Sequence, residues 1–240
     1  MGGVSKEPYQ SLNLGFHTGD DWVQVKENRR LFTESVGISL KNVVAAHQVH
    51  GENIFTADID DRGKGAFEQD SAIKETDAFI TNEPDVALIA FFADCVPVMF
   101  LDPVEKVIAL VHAGWKGTVL EIGKKTVQKM HQDFSCQPEN ILAAIGPSIG
   151  PCHYEVDAPV INQFKEKFSQ WEKILTLKNN GKAQLNLWEA NRLQLLDSGV
   201  RKDNITVSEL CTYCHPEALY SYRFGNGRTG RLAGIIMLSQ

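Results

Sequence analysis

Two imidazoles and one thiol, carried on three short segments, are the side chains of this chain best suited to chemistry. They are His50 in His47-Gln48-Val49-His50-Gly51, Cys95 in Ala93-Asp94-Cys95-Val96-Pro97, and His112 in Val111-His112-Ala113-Gly114-Trp115-Lys116-Gly117. The segments fall at the ends of predicted strands, where side chains from different parts of a chain can converge. Two nitrogens and one sulfur form a borderline-soft donor set that suits zinc, and three protein ligands leave a fourth tetrahedral position open. An open position belongs to catalysis rather than to a structural staple, because a metal there lowers the pKa of water toward ~7. The spacing by itself is a weak metal signal, since no tight Cys-x-x-Cys pair is involved. His47 and His50 would face opposite sides of a strand, so only one can point at a given site unless the chain turns at Gly51. Cys95 with His50 or His112 also fits a nucleophile and base in a hydrolase. A metal-stabilised binding module without activity uses the same residues.

Those side chains need a scaffold, and the apolar pattern supplies one. Runs at Val86–Phe92, Val98–Leu101, Val107–His112 and Ile141–Ile145 are rich in Val, Ile and Phe and bounded by Asp, Pro or Gly, as buried strands are. Further strands are expected at Ile205–Leu210, Leu219–Phe224 and Leu232–Leu238. Helical periodicity marks Trp22–Val36, Thr118–Phe134, Val156–Phe168 and Leu187–Leu196. Asp20 or Asp21 is placed to cap the first, and Asn186 to cap the last with Glu189 at the capping-box position. The order is not a regular strand-helix alternation, so an α+β architecture with mixed sheets is expected. The stretch Asp58–Glu75, rich in Asp, Gly and Lys, reads as a long mobile surface loop.

The 240 residues, 43% of them hydrophobic, can bury one substantial core, and residues 1–240 read as one catalytic domain. A net charge of -6 with scattered Lys and Arg offers no electrostatic footprint for nucleic acid or a membrane surface. There is no export signal and no run of the roughly 18 apolar residues that a spanning helix needs, so a cytoplasmic protein is expected. The five cysteines, an odd number in a chain of this size, are expected to be reduced. Cys211-Thr212-Tyr213-Cys214-His215 matches the haem-attachment pattern, but that chemistry needs export, and core or site-lining thiols are the expectation.

A set of ordered motifs goes further. Asn13-Leu14-Gly15 with His17-Thr18-Gly19-Asp20, the His47 to Gly51 segment, Thr76-Asp77-Ala78 and the Asp94-Cys95 segment come first. The His112 to Gly117 segment, Gly146-Pro147-Ser148-Ile149-Gly150-Pro151-Cys152-His153-Tyr154-Glu155 and Tyr220-Ser221-Tyr222-Arg223 through Thr229-Gly230-Arg231 follow. From about residue 10 to the C-terminus this series resembles the YfiH-like family, long labelled polyphenol oxidoreductase or laccase and now regarded as purine nucleoside phosphorylase and adenosine deaminase. The resemblance implies that His50, Cys95 and His112 are catalytic zinc ligands, with copper the alternative behind the older label. It implies two packed mixed β-sheets flanked by helices in α/β/β/α layers, similar to certain cysteine-dependent toxin deamidases. It also implies activity on adenosine, inosine and methylthioadenosine with phosphate as co-substrate; some relatives are linked to editing of peptidoglycan precursors.

Within that frame the substrate-binding candidates are Asn13, His17, Asp94, Lys116, Glu155, Arg223 and Arg231. Gly114, Lys116, Gly117 and Thr118 lie where a Gly-rich turn opens a helix and could hold an anion, with Arg223, Arg228 and Arg231 adding charge. Asp94 and Glu155 are the carboxylates expected to move protons. Lys116 stands where the family usually has arginine, which replaces a bidentate fork with a point charge.

Overall fold

The computed structural model describes residues 2–239. Its centre is a six-stranded mixed sheet in the order β11-β7-β5-β6-β3-β2, built from β2 (Ile54–Thr56), β3 (Ala78–Thr81), β5 (Val96–Asp102), β6 (Val107–Ala113), β7 (Leu142–Ile145) and β11 (Ile205–Val207). A three-stranded sheet, β1 (Val43–Val44), β4 (Ala87–Phe92) and β12 (Leu232–Met237), packs on one face of it. A small antiparallel sheet of β8 (Glu155–Val156), β10 (Ala183–Leu185) and β9 (Leu175–Leu177) flanks the body.

Period-two alternation assigns each strand's side chains to a layer. In β6, Val107, Ala109, Val111 and Ala113 join the core beneath α3 (Ile122–Phe134), α4 (Ala158–Lys167) and α5 (Leu187–Asp197). Ile108 and Leu110 point the other way, into a core shared with Leu88, Ala90 and Phe92 of β4. Burying each of the pair contributes about 1.5–3 kcal/mol. The opposite face of β4, with Ile89 and Phe91, shares a core with Val43 of β1, against which Phe32 of α1 (Trp22–Ser35) packs. The layers are therefore helix, sheet, sheet, helix, as the family resemblance implies.

The helix starts follow from their caps. The Asp21 carboxylate accepts from Val23 N, and Asn186 Oδ1 accepts from Glu189 N at 3.0 Å. Glu189 does not complete a capping box, because its carboxylate is held by Arg192. The helix expected over Thr118–Phe134 is two: α2 (Trp115–Val119) and α3 are separated by Glu121 at φ 60°, a left-handed residue that no continuous helix accommodates.

Three further expectations are corrected. Asp58–Glu75 is not a free surface loop but is tied to the body: the buried Arg29 guanidinium donates to the Gly65 and Ala66 carbonyls, and Ala45 exchanges hydrogen bonds with Lys64 and Ile73. Leu219–Phe224 is not a strand. Gly225 N donates to Ser221 O and Gly227 N to Tyr222 O, giving tight turns through Asn226 and Gly227 at positive φ. Residues 208–210 likewise leave the sheet, with Glu209 at φ 52°.

Candidate functional site

Alternation puts His112 on the same side of β6 as Ile108 and Leu110, facing the gap between the two packed sheets. Its register partner is Pro97 of β5. Cys95 sits where the chain leaves β4 in one sheet and enters β5 in the other, a crossing made by Asp94 at φ 88°. His50 arrives from beyond β1 and is itself left-handed, at φ 60°. That turn resolves the choice between the histidines, since His47 is absent from the cluster and its backbone N donates to Ile73 O. One donor atom from each of His50, Cys95 and His112 lies within 4.8 Å of the other two.

One carboxylate organises this cluster. Asp77 Oδ1 accepts from His50 N at 3.0 Å and meets His112 Nδ1 at 2.8 Å, while Oδ2 accepts from Val49 N at 3.1 Å and Gly51 N at 2.7 Å. Asp77 therefore fixes the backbone that presents His50 and the ring that presents His112. With its proton held on Nδ1, His112 turns Nε2 toward the cluster, which is how a carboxylate orients an imidazole ligand. Burial pushes the Asp77 carboxyl up, but the His112 contact and the Gly51 and Val49 amides more than offset it and hold it below the usual range. For Cys95 burial opposes ionisation, yet the facing His112 and His50 imidazoles bring the thiol down. For His112 burial favours the neutral ring, and Cys95 and Asp77 raise it nonetheless.

Gly114 leaves room beside the cluster. A Cβ there would lie 3.0 Å from both Cys95 Sγ and His50 Cδ2. Nitrogen, nitrogen and sulfur donors that converge at this separation, on a backbone that leaves space for them, fit a divalent metal with one coordination position to spare.

The cluster forms the floor of a cavity of about 520 Å³, within the usual size range of ligand sites. Of the substrate-binding candidates, His17, Asp94, Arg223 and Arg231 line it, together with Gln48, Phe91, Trp115, Tyr154 and Tyr222. The Arg223 guanidinium lies 5.3 Å from the Tyr154 ring centre and that of Arg231 5.7 Å from Tyr222. Partial burial and the nearby Arg231 charge hold His17 well below its ordinary range, so its ring is neutral at pH 7. Asp94 accepts from Thr212 Oγ1 at 2.6 Å and Arg223 N at 2.7 Å, bonds that set the position of Arg223.

The other three candidates lie outside the lining. Asn13 is fully buried; its side chain donates to Thr18 and Asp20 and accepts from Gly15 N and Arg231 N. It positions the segments that carry His17 and Arg231. Lys116 is exposed on the outer side of α2. The Glu155 carboxylate is taken up by Lys178 and Lys182, which lower it to about 2. The Thr118 hydroxyl accepts from Asn191 inside the fold. Asp77 and Gln48 were missed by sequence reasoning. The available signal for Asp77 was its place in the Thr76-Asp77-Ala78 motif, at the threshold of the wholly buried run that becomes β3.

A layered α+β body with a Cys/His cluster on the floor of an aromatic-lined cavity defines a candidate metal-dependent enzyme. Residues 1–239 match the family model described as multi-copper polyphenol oxidoreductase laccase. The chain is 39% identical to purine nucleoside phosphorylase YlmD of Bacillus subtilis over 239 residues, covering 100% of this chain and 86% of that one. It is 32% identical over 228 residues to adenosine deaminase RL5, from an unknown prokaryotic organism, covering 93% and 87%. The crystal structure of the Bacillus licheniformis hypothetical protein YfiH superimposes with a TM-score of 0.97 at 38% identity, covering 99% of this chain and 90% of that one. The chain belongs to this laccase-labelled family, which includes proteins named YfiH and YlmD. No helix among the described residues is long and apolar enough to cross a membrane.

Proposed function

We propose that this protein is a zinc-dependent purine nucleoside phosphorylase, acting on adenosine, inosine and methylthioadenosine, that also deaminates adenosine. The observation that carries the proposal is the joining, in one cavity, of a three-donor metal cluster, an aromatic wall and two arginines. Tyr154, Tyr222 and Phe91 offer faces to a planar purine. Arg223 and Arg231 supply the forked donors that hold phosphate. Neutral His17 is able to hydrogen-bond the base or to accept a proton in the cavity, whereas the Glu155 carboxylate is held away by its lysines. Asp94 keeps Arg223 in place, and Asp77 keeps His50 and His112 in place. When bound by His50, Cys95 and His112, zinc supplies Lewis-acid polarisation at the cavity floor. The names of YlmD and RL5 support the two reactions and nucleosides as small-molecule substrates.

The test is turnover of adenosine with and without phosphate, before and after chelation. Adenine with ribose 1-phosphate reports phosphorolysis, and inosine reports deamination. Neither product from metal-loaded protein would overturn the proposal.

One observation favours a second reading. Cys95, His112 and Asp77 stand in the order of a nucleophile, base and orienting acid, with His112 Nδ1 2.8 Å from Asp77. A hydrolase relay, however, has no use for His50, whereas a metal centre does. A Cys95→Ser variant separates the two: loss of metal together with activity supports the metal enzyme, and chelator-insensitive activity in the parent supports the hydrolase.

A further inference from the structure

Four metal-ligating side chains outside the cavity converge as closely as the three on its floor. Cys152, His153, Cys211 and Cys214 each offer a donor atom, all four within 4.8 Å of one another. Cys152 Sγ and Cys214 Sγ are 3.7 Å apart, and His153 Nδ1 lies 3.3 Å from each. A tetrahedral zinc with ordinary Zn–S and Zn–N bonds has S···S edges of about 3.8 Å and S···N edges of about 3.6 Å. The separations are close to those edges, whereas a disulfide requires sulfurs at about 2.05 Å.

The surrounding backbone is shaped for such a group. Cys211 and Cys214 flank a tight turn closed by Cys214 N donating to Cys211 O at 3.2 Å. Gly150 N donates to Cys211 Sγ at 3.2 Å, a contact that favours a thiolate. A Cβ on Gly150 would lie 2.7 Å from Trp188 and 3.2 Å from Cys211 Cβ, so the approach depends on glycine. His153 is held with its ring stacked on Tyr213, centres 4.1 Å apart. His215, the imidazole that follows Cys214 in sequence, turns away to Glu217.

We propose that Cys152, His153, Cys211 and Cys214 form a second metal site, a closed Cys3His centre for a thiophilic divalent cation, zinc above all. Four protein ligands leave no position for substrate, so the site is a staple. It joins residues 148–154 to residues 211–214, segments that meet at the Ser148–Cys211 bridge. Both continue into the cavity wall, one through Tyr154 and the other through Tyr222 and Arg223. Tyr213 links them by packing on Phe224 with ring centres 5.3 Å apart. The metal would thus hold in register two walls that its partner centre cannot reach.

Metal analysis of anaerobically purified protein after exhaustive dialysis tests this. Zinc is expected at two equivalents per chain in the parent, one in Cys95→Ser, one in Cys214→Ser and none in the double variant. Cobalt loaded into Cys95→Ser should give a thiolate charge-transfer band, which disappears in the double variant. If Cys214→Ser does not fold, the His153 pair decides: His153→Cys keeps four donors and both equivalents. His153→Phe keeps the stacking on Tyr213 and surrenders one equivalent to a chelator. The proposal is overturned if the parent holds one equivalent that Cys95→Ser abolishes. A thiol titration that finds Cys152 and Cys214 joined in a disulfide would overturn it as well.

Discussion

Replacing Asp77 with asparagine tests how the floor of the cavity is assembled. The carboxylate is 2% exposed and takes four hydrogen bonds, two on each oxygen. An amide can satisfy only half of them while His112 keeps its proton on Nδ1. With its oxygen toward His50 N and His112, its NH2 confronts the Val49 and Gly51 N–H groups, donor against donor. Flipped, it donates to His112 Nδ1, which forces the ring proton onto Nε2 and removes the lone pair that faces the cluster. Losing two bonds to a buried charge costs about 3 kcal/mol or more, which corresponds to a melting temperature lower by about 6 °C or more for a chain of this size. Loss of a carboxylate that orients a ligand histidine typically weakens metal binding about 10- to 100-fold. Asp77→Asn is therefore expected to fall in both measures, read by thermal melting and by zinc competition against a chromophoric chelator. A variant with the parent's melting temperature and zinc affinity within twofold of the parent's would refute the positioning role.

The other predictions concern the same neighbourhood. Gly114→Ala should weaken metal binding about tenfold, because the new methyl, 3.0 Å from Cys95 Sγ and His50 Cδ2, pushes two donors apart; unchanged affinity in the same competition assay would contradict the close-packing account. In metal-free protein, Cys95 falls from the ordinary thiol value to about 6 and His112 rises to about 9, so their ion pair persists between those limits. Its contribution to stability is lost as the pH falls through about 6, where the thiolate is protonated, or rises through about 9, where the imidazolium is deprotonated. Alkylation by iodoacetamide, followed by mass spectrometry, should accordingly show a Cys95 midpoint near 6, while Cys136, pushed up to about 12 by burial and Asp102, stays unreactive. A Cys95 midpoint near that of a free thiol would rule the pair out. Glu155→Gln should leave kcat and KM within about twofold of the parent, because its carboxylate serves Lys178 and Lys182 rather than the cavity; a hundredfold loss of kcat would restore it as a proton carrier.

What was legible in the sequence was whatever depends on local pattern. The apolar run from Val107 marks a buried strand with His112 at its end, although a strand buried at every position does not show which side the ring faces. The layer order is implied by the family resemblance rather than by the pattern, since β4 is apolar and buried at every position. Less legible were features set by a partner distant in the chain. Leu219–Phe224 has the apolar and aromatic content of a strand, but no sheet edge receives it, and the segment folds into turns that deliver Tyr222 and Arg223 to the cavity. Cys211 and Cys214 carry a visible spacing, yet their neighbours Cys152 and His153 arrive from a separate segment, and His215 is a decoy. Asp77 could not be identified as an organiser from its own surroundings, since its four donors lie at positions 49, 50, 51 and 112.

The laccase label on the family model and the nucleoside names of relatives point to different chemistry, and the two clusters bear on that difference. Divalent copper binds almost any nitrogen and sulfur donor set more tightly than zinc does, so copper found in a preparation does not by itself identify the working metal. The architecture is more informative than the affinity. The cluster on the cavity floor has three donors, which would leave a position open on a metal, and it adjoins arginines and aromatic rings, which are groups that grip an anion and a flat base. The thiol-rich cluster uses all four of its donors on itself and does not line the cavity. A multi-copper oxidase draws electrons from its substrate and passes them between metals. Among the described residues, the two candidate centres share no ligand, and only one faces a place where a substrate could sit. That arrangement favours one reacting metal and one structural metal, and with them transfer and hydrolysis over oxidation.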